Sequence, residues 1–314
     1  MVLVVVVAAG RRGSGDSGRR RRQVDTAASL SYLAFGEVPP LGERTKMRWQ
    51  SRESGEAMNF QLFLPRRWHE GDASWPMLVF LHGSGDGVFE VMNSQSLPRL
   101  LSRDQSTSFD PTPTWTFEFP EGVTYSNASF AESFEMVVLM PQGWTSHADS
   151  GWYPDRARRV VELVRDVVGA YGVDEDRISL TGQSAGGVGA WMLAAIAPKM
   201  WAAVVPICGA SPVEPVVLAT KLEGLPAWVF HAADDVAMPV ELSDEVVDAI
   251  RAFREREEDR APLEYTRYAR APAPPDPRYA DMTGHASYDL AFRDARLYAW
   301  LLAQRRRPHS GPAS

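Results

Sequence analysis

Apolar residues along this chain fall into two spacings that alternate from about Met47 onward. Met77 to Leu81, Met136 to Met140, Ala202 to Ile207 and Ala227 to Phe230 are near-continuous apolar runs, the pattern of central parallel strands covered on both faces. Ile178 to Thr181 reads as a further short buried strand, and Leu263 to Tyr268 as a strand near the end of the chain. Met58 to Leu64 alternates apolar with polar residues, which predicts an antiparallel edge strand. Helices are predicted over Asp155 to Tyr171, Gly186 to Ala197, Val240 to Glu257 and Tyr288 to Arg305. Strands and helices alternating across short turns predict an α/β domain, a mostly parallel central sheet with helices on both faces. There is no internal repeat.

Two stretches break the alternation. Arg103 to Ser133 carries Pro111, Pro113 and Pro120 among aromatics, serines and threonines without a clear period, and reads as an insertion between a helix and a strand. Ala269 to Thr283 carries Pro272, Pro274, Pro275 and Pro277 and reads as a second irregular loop. Both fall near the carboxyl ends of strands, where loops shape substrate sites in open sheets. Residues 47–306 are therefore expected to form one α/β domain with an insertion at about 103–133. Residues 1–46 form a disordered or targeting extension in this reading, and 307–314 a flexible tail.

Composition narrows the possible partners. The 314 residues are 45% hydrophobic with a net charge of -7, enough for a sizeable core and without the basic face that nucleic acid requires. The strongly basic run lies at Arg19 to Arg22, behind an apolar Met1 to Ala9 that is too short to span a bilayer. A secretory signal places its charge before the apolar run. The chain is therefore expected in the cytoplasm, with an organelle leader as the other reading of its N-terminus. A single cysteine, Cys208, excludes an internal disulfide framework, and its strand-like surroundings mark it as a core residue rather than a nucleophile.

Gly182-Gln183-Ser184-Ala185-Gly186 places a serine between two glycines, after a strand and before a small-residue helix. That is the spacing of a nucleophile elbow, in which a tight strand-to-helix turn leaves no room for side chains beside the serine. The five letters alone occur by chance in roughly one chain in ten of this length, so partners must decide. A serine hydroxyl needs a base, and the base an orienting carboxylate. His231-Ala232-Ala233-Asp234-Asp235 leaves the strand ending at Phe230, and Asp235 is the chosen acid with Asp234 as rival. An acidic pair capping the following helix is the plainer reading.

Six histidines compete for the base. His69 and His309 lie in polar stretches, and His147 lies in a loop without a fixed relation to a strand end. His82 and His231 belong to turns that leave strands. His285 follows the last strand on a loop before the last helix and completes the order Ser, Asp, His. The turn His82-Gly83-Ser84-Gly85 follows the strand Met77 to Leu81. Its Ser84 N–H, with the N–H of Ala185, is placed to receive charge developing on a carbonyl oxygen.

Phe80-Leu81-His82-Gly83-Ser84-Gly85, Pro141-Gln142, Asp176 through Gly187, Pro206-Ile207-Cys208-Gly209, Trp228 through His231 with Asp235 and Pro239, and Gly284-His285 together resemble the α/β-hydrolase superfamily. Within it the chain is most similar to the phospholipase/carboxylesterase group, which includes peptidases related to dienelactone hydrolase and acyl-protein thioesterases. The resemblance runs in the same order over about Met58 to Leu302. It implies an α/β-hydrolase fold and a Ser184, Asp235, His285 triad with Ser84 and Ala185 as oxyanion donors, and it implies no cofactor and no metal. Relatives usually carry glycine where this chain has Ala232, a change expected to shift the acid turn slightly.

The reading is a serine hydrolase that cleaves a carboxylic ester or thioester, a small-molecule substrate, through an acyl-enzyme. A serine peptidase of the same fold and a non-catalytic binding protein are the alternatives. Gln142, Trp144 and Trp152 are candidates for the substrate pocket, with core packing an equal reading for the tryptophans. Free imidazole titrates at about 6.5, so activity is expected to rise as His285 loses its proton.

Overall fold

The computed structural model describes residues 32–69, 75–84, 96–102, 127–144 and 150–306. The N-terminal leader, most of the expected insertion, His147, Gly85, His309 and the tail lie outside the described residues. Among the described residues nine strands form one sheet in the order β1-β2-β3-β5-β4-β6-β7-β8-β9. The strands are β1 (Leu33–Ala34), β2 (Arg44–Gln50), β3 (Ala57–Phe63), β4 (Trp75–Leu81), β5 (Val137–Pro141), β6 (Val173–Gln183), β7 (Ala203–Ile207), β8 (Ala227–Ala232) and β9 (Leu263–Tyr268).

From β5 to β9 all neighbours are parallel, whereas β3 runs antiparallel to β2 and β5. The apolar runs of β4, β5 and β7 are buried almost throughout, as strands covered on both faces must be. Eight α-helices and one 3-10 helix (Pro277–Tyr279) complete the described residues: α1 (Ser96–Leu100), α2 (Asn127–Ser133), α3 (Pro154–Tyr171), α4 (Ala185–Ile196), α5 (Pro215–Lys221), α6 (Glu241–Arg256), α7 (Ser287–Arg293) and α8 (Ala295–Ala303).

Two apolar clusters, one on each face of the sheet, explain the layering. The first joins Met77, Val79, Leu139 and Leu180 to the stripe Ala157, Val160, Val164 and Val167 of α3 and to Trp191 of α4. The second joins Leu78, Phe80, Val138, Val205 and Phe230 to Tyr288 and Phe292 of α7. Alternate residues of β4 thus face opposite layers, as the pleat requires, and each fully buried valine contributes about 1.5 to 3 kcal/mol. Pro154 opens α3 without sacrificing an intrahelical bond, and Gly172 in the left-handed conformation ends it, its N–H donating to Val168 O.

Four expectations change. The strand around Met58 to Leu64 is antiparallel but interior, because β2 pairs along its outer side from Arg44↔Phe63 to Gln50↔Ala57. The sheet begins at Leu33, so residues 33–46 of the expected extension include β1 and the start of β2. The short strand at Ile178 is the second half of an eleven-residue β6. The single helix expected from Tyr288 to Arg305 is two, broken at Asp294, whose extended backbone ends α7 and whose carboxylate caps α8 by accepting from Arg296 N–H. Helix α2 lies within the aperiodic stretch expected as an insertion.

Candidate active site

Strand β6 lies between β4 and β7 in the middle of the sheet, so the turn that leaves it emerges at the centre of the carboxyl edge. Ser184 occupies that turn with φ 54° and ψ -121°, a conformation that costs an L-residue of order 1 to 3 kcal/mol and persists only when its surroundings enforce it. The enforcement is visible on both sides. A Cβ on Gly182 would collide with Gly186 O, and one on Gly186 would collide with Leu81 O and meet His82 O at 2.7 Å. Only glycine at both positions lets α4 start this close to β4 and β6.

His285 Nε2 lies 2.9 Å from Ser184 Oγ, and its Nδ1 lies 2.8 Å from Asp235 Oδ2 and 3.1 Å from Oδ1. A nitrogen facing a carboxylate carries the ring proton, which leaves Nε2 free to accept from the serine hydroxyl. His285 is brought there by a loop that starts after β9, closes with Ala286 N–H donating to Pro272 O, and turns with His285 N–H donating to Met282 O. The structure therefore brings together Ser184, His285 and Asp235 from three separate segments.

Asp234 faces away from the imidazole. Its Oδ1 accepts from Ala271 N–H at 2.9 Å, Arg270 lies 3.8 Å from its Oδ2, and its backbone packs against Gly284. With Val236 N–H donating to Thr283 O, the acid turn fastens both ends of the histidine loop. Ala232 completes β8 in regular register with Tyr268, so this alanine leaves the strand undisturbed.

Asp235 is buried. Burial by itself would push its carboxyl up, but hydrogen bonds from His231 and His285, the charge of His285 and the Met238 N–H outweigh it and hold the carboxyl well below the usual range. Its Oδ1 also accepts from Ala237 N–H and Met238 N–H, both at 2.9 Å. Behind it, His231 is fully buried, with Nε2 3.1 Å from Asp235 Oδ2.

The turn after β4 abuts the serine: a Cβ on Gly83 would lie 3.3 Å from Ser184 Cβ. Ser84 is exposed on this turn, and Ala185 opens α4, where backbone N–H groups have no intrahelical acceptor. Beneath the turn His82 is a buried brace. Its Nδ1 donates to Gly83 O at 2.9 Å and its Nε2 accepts from Gly143 N–H at 3.0 Å. Burial pushes its ring down to about 4, with the Arg156 charge adding to the effect and the Gly83 bond opposing it. It is neutral at physiological pH.

Trp144 and Trp152, at 3% and 4% exposure, pack on the His82 ring at centroid distances of 4.4 and 5.2 Å. Trp152 Nε1 also donates to His82 O. Of the two readings left open by the sequence, these contacts carry core packing: the indoles support the turn from below. Gln142 leaves β5 with its N–H on Asn59 O and its side-chain oxygen accepting from Asn59, which ties it to β3.

Cys208 is buried beneath the site at φ 42°. Burial, and then the Asp235 charge, drives its thiol far above its ordinary value, which suits a packing residue and not a thiolate nucleophile. Among the described residues Cys208, Asp235 and His285 are the one group spaced to ligate a metal, but the carboxylate and imidazole already bond each other. His82 lies in the turn after β4 as expected, but His231 lies within β8, which runs on to Ala232, and not in the turn after Phe230; the bracing roles of both rings depend on burial, which the letters around them do not express.

A family model described as "Putative esterase" matches residues 51–249. The chain belongs to the Esterase family. Solved structures share its fold. A thermostable esterase superposes with a TM-score of 0.59 at 22% identity, over 85% of this chain and 64% of its own. This chain thus spans just under two thirds of that esterase. S-formylglutathione hydrolase of Staphylococcus aureus gives 0.54 at 15% identity, over 85% of this chain and 100% of its own. A "Putative Dienelactone Hydrolase" from Klebsiella pneumoniae gives 0.52 at 18%, over 82% and 99%. No curated protein matches the chain. This member of the Esterase family has the α/β-hydrolase fold, and none of its described helices is long and apolar enough to cross a membrane.

Proposed function

We propose that this protein is a serine hydrolase that cleaves carboxylic esters or thioesters of small molecules through an acyl-enzyme on Ser184. The observation that carries this reading is the unbroken hydrogen-bonded line from Ser184 Oγ through His285 to Asp235, at 2.9 and 2.8 Å. His285 Nε2 takes the hydroxyl proton as Oγ bonds to the acyl carbon, and the carbonyl π pair moves onto its oxygen. The Ala185 and Ser84 N–H groups receive that negative charge; one such donor is worth about 3 to 4 kcal/mol of barrier. Collapse expels the alcohol or thiol, which leaves with the proton held by His285. Water then attacks the acyl-enzyme, with the same nitrogen as its base, and releases the acid and Ser184.

Asp235 keeps the imidazole in the productive tautomer and stabilises its charged form, a role that its low proton affinity supports. The esterase name of the family points to an oxygen ester as the first substrate to examine. A fluorophosphonate probe tests the assignment. Wild-type protein is expected to be labelled and Ser184→Ala to be blank. An unlabelled wild type, or equal labelling of the variant, would return the chain to a non-catalytic binding role.

A further inference from the structure

Asp235 has a second imidazole behind it. His231 ends in a fully buried ring whose Nε2 faces two acceptors, Asp235 Oδ2 at 3.1 Å and Met238 O at 2.9 Å, while its Nδ1 lies 2.7 Å from Ser243 Oγ on α6. A ring nitrogen between two oxygens that can only accept must carry the proton. The Nε2–H therefore donates, shared between Met238 O and the same Oδ2 that receives His285 Nδ1–H at 2.8 Å.

We infer that His231 is a positioning residue of the hydrolytic site: it holds the Asp235 carboxylate and shares the charge of Oδ2, thereby setting how strongly Asp235 stabilises the protonated His285. This inference rests on the Ser184, His285, Asp235 reading. Two donors on one oxygen compete, so each weakens the other's bond. Removing the His231 donor concentrates the anionic charge on the His285 side. The charged form of His285 is then stabilised, and the acid limb of the pH profile moves upward. The carboxylate also loses one of the bonds that fix its plane, so the base is held less well and the rate falls.

Other titratable groups at His285 leave this signal clear. Cys208 and Tyr288 lie against the same ring, and burial drives both far above their ordinary values, so both stay neutral. Asp276 and Asp289, which face Tyr288, are paired with Arg278 and Arg293. Asp235 is held well below the usual carboxylate range, so it is charged across the assayed interval in the parent protein.

The test compares His231→Phe, which keeps a ring without donors, with His231→Gln, whose amide N–H reaches the Nε2 position. Rates are normalised to sites titrated by the fluorophosphonate, so unfolded protein does not count. His231→Phe is expected to lose at least about tenfold in kcat with little change in KM, and its acid limb to move up by about half a unit or more. His231→Gln is expected to recover most of the rate and return the limb towards wild type. Ser243→Ala, which leaves the imidazole in place without its Nδ1 partner, is expected to shift the limb in the same direction by less; it carries the test if His231→Phe does not fold. An unmoved limb in His231→Phe, or in Ser243→Ala where that variant carries the test, would overturn the inference. So would a rate loss that His231→Gln does not rescue. If wild type fails to label, the hydrolase reading fails first; if wild type labels and turns over while the limb stays fixed, only the role of His231 fails.

Discussion

Two adjacent acids, Asp234 and Asp235, divide two tasks by direction alone. Asp235 turns inward to the imidazoles, and Asp234 turns outward to Ala271 N–H and Arg270. Asp235→Asn is expected to lower kcat roughly 10³- to 10⁴-fold, because an amide at Nδ1 favours the wrong tautomer. In Asp234→Asn the amide oxygen still accepts from Ala271 N–H, so kcat is expected to stay within about threefold of wild type. Steady-state kinetics on the two variants would show it. His82 makes a separate prediction. Above about pH 6.5 its ring is neutral whether the chain is folded or unfolded, so it contributes no pH dependence there. As pH falls from about 6.5 towards 4 the unfolded chain takes up a proton that the buried ring refuses, and stability is lost, by roughly 3 kcal/mol at the lower end. Asp235, held below its unfolded value, is lost only at lower pH. Urea unfolding across this window is expected to fall less steeply in His82→Gln than in wild type.

The elements most legible in the sequence were those whose pattern is local. Continuous apolar runs marked β4, β5, β7 and β8, and helical spacing with a proline start and glycine stop marked α3. What was misread depends on neighbours in space. Met58 to Leu64 alternates as an edge strand would, but β2 covers it, and Arg44 to Gln50 carries too many polar residues to show itself as a strand. Asp294 breaks the last helix because a single residue can end one helix with its extended backbone and cap the next with its carboxylate, an event that periodicity does not register. The turn at Ser184 was legible for a different reason, since its two glycines are a steric necessity. Gly186→Ala would drive a methyl into Leu81 O, and is expected to lower stability by at least about 3 kcal/mol and to abolish labelling of Ser184. A thermal melt near that of wild type would contradict this account of the elbow.

At the scale of the molecule, the parallel half of the sheet gathers its chemistry at one edge. Ser184 leaves β6, Asp235 follows β8 and the His285 loop follows β9, while the turn after β4 closes against the serine. The order Ser, Asp, His was readable because each partner follows a strand of one sheet. The bracing by His82 and His231, and the burial of Trp144 and Trp152, were not, because they depend on which side of a turn a ring falls. The central claim is a covalent intermediate on Ser184. Its most direct measurement is the intact mass of protein quenched in acid within a single turnover of an activated acyl ester, followed by peptide mapping. The account predicts a mass increase of one acyl group on the peptide containing Ser184, absent from Ser184→Ala, which should also lose roughly 10⁴-fold or more in kcat. Acylation at another residue, or a Ser184→Ala variant that turns over ester at the wild-type rate, would contradict it.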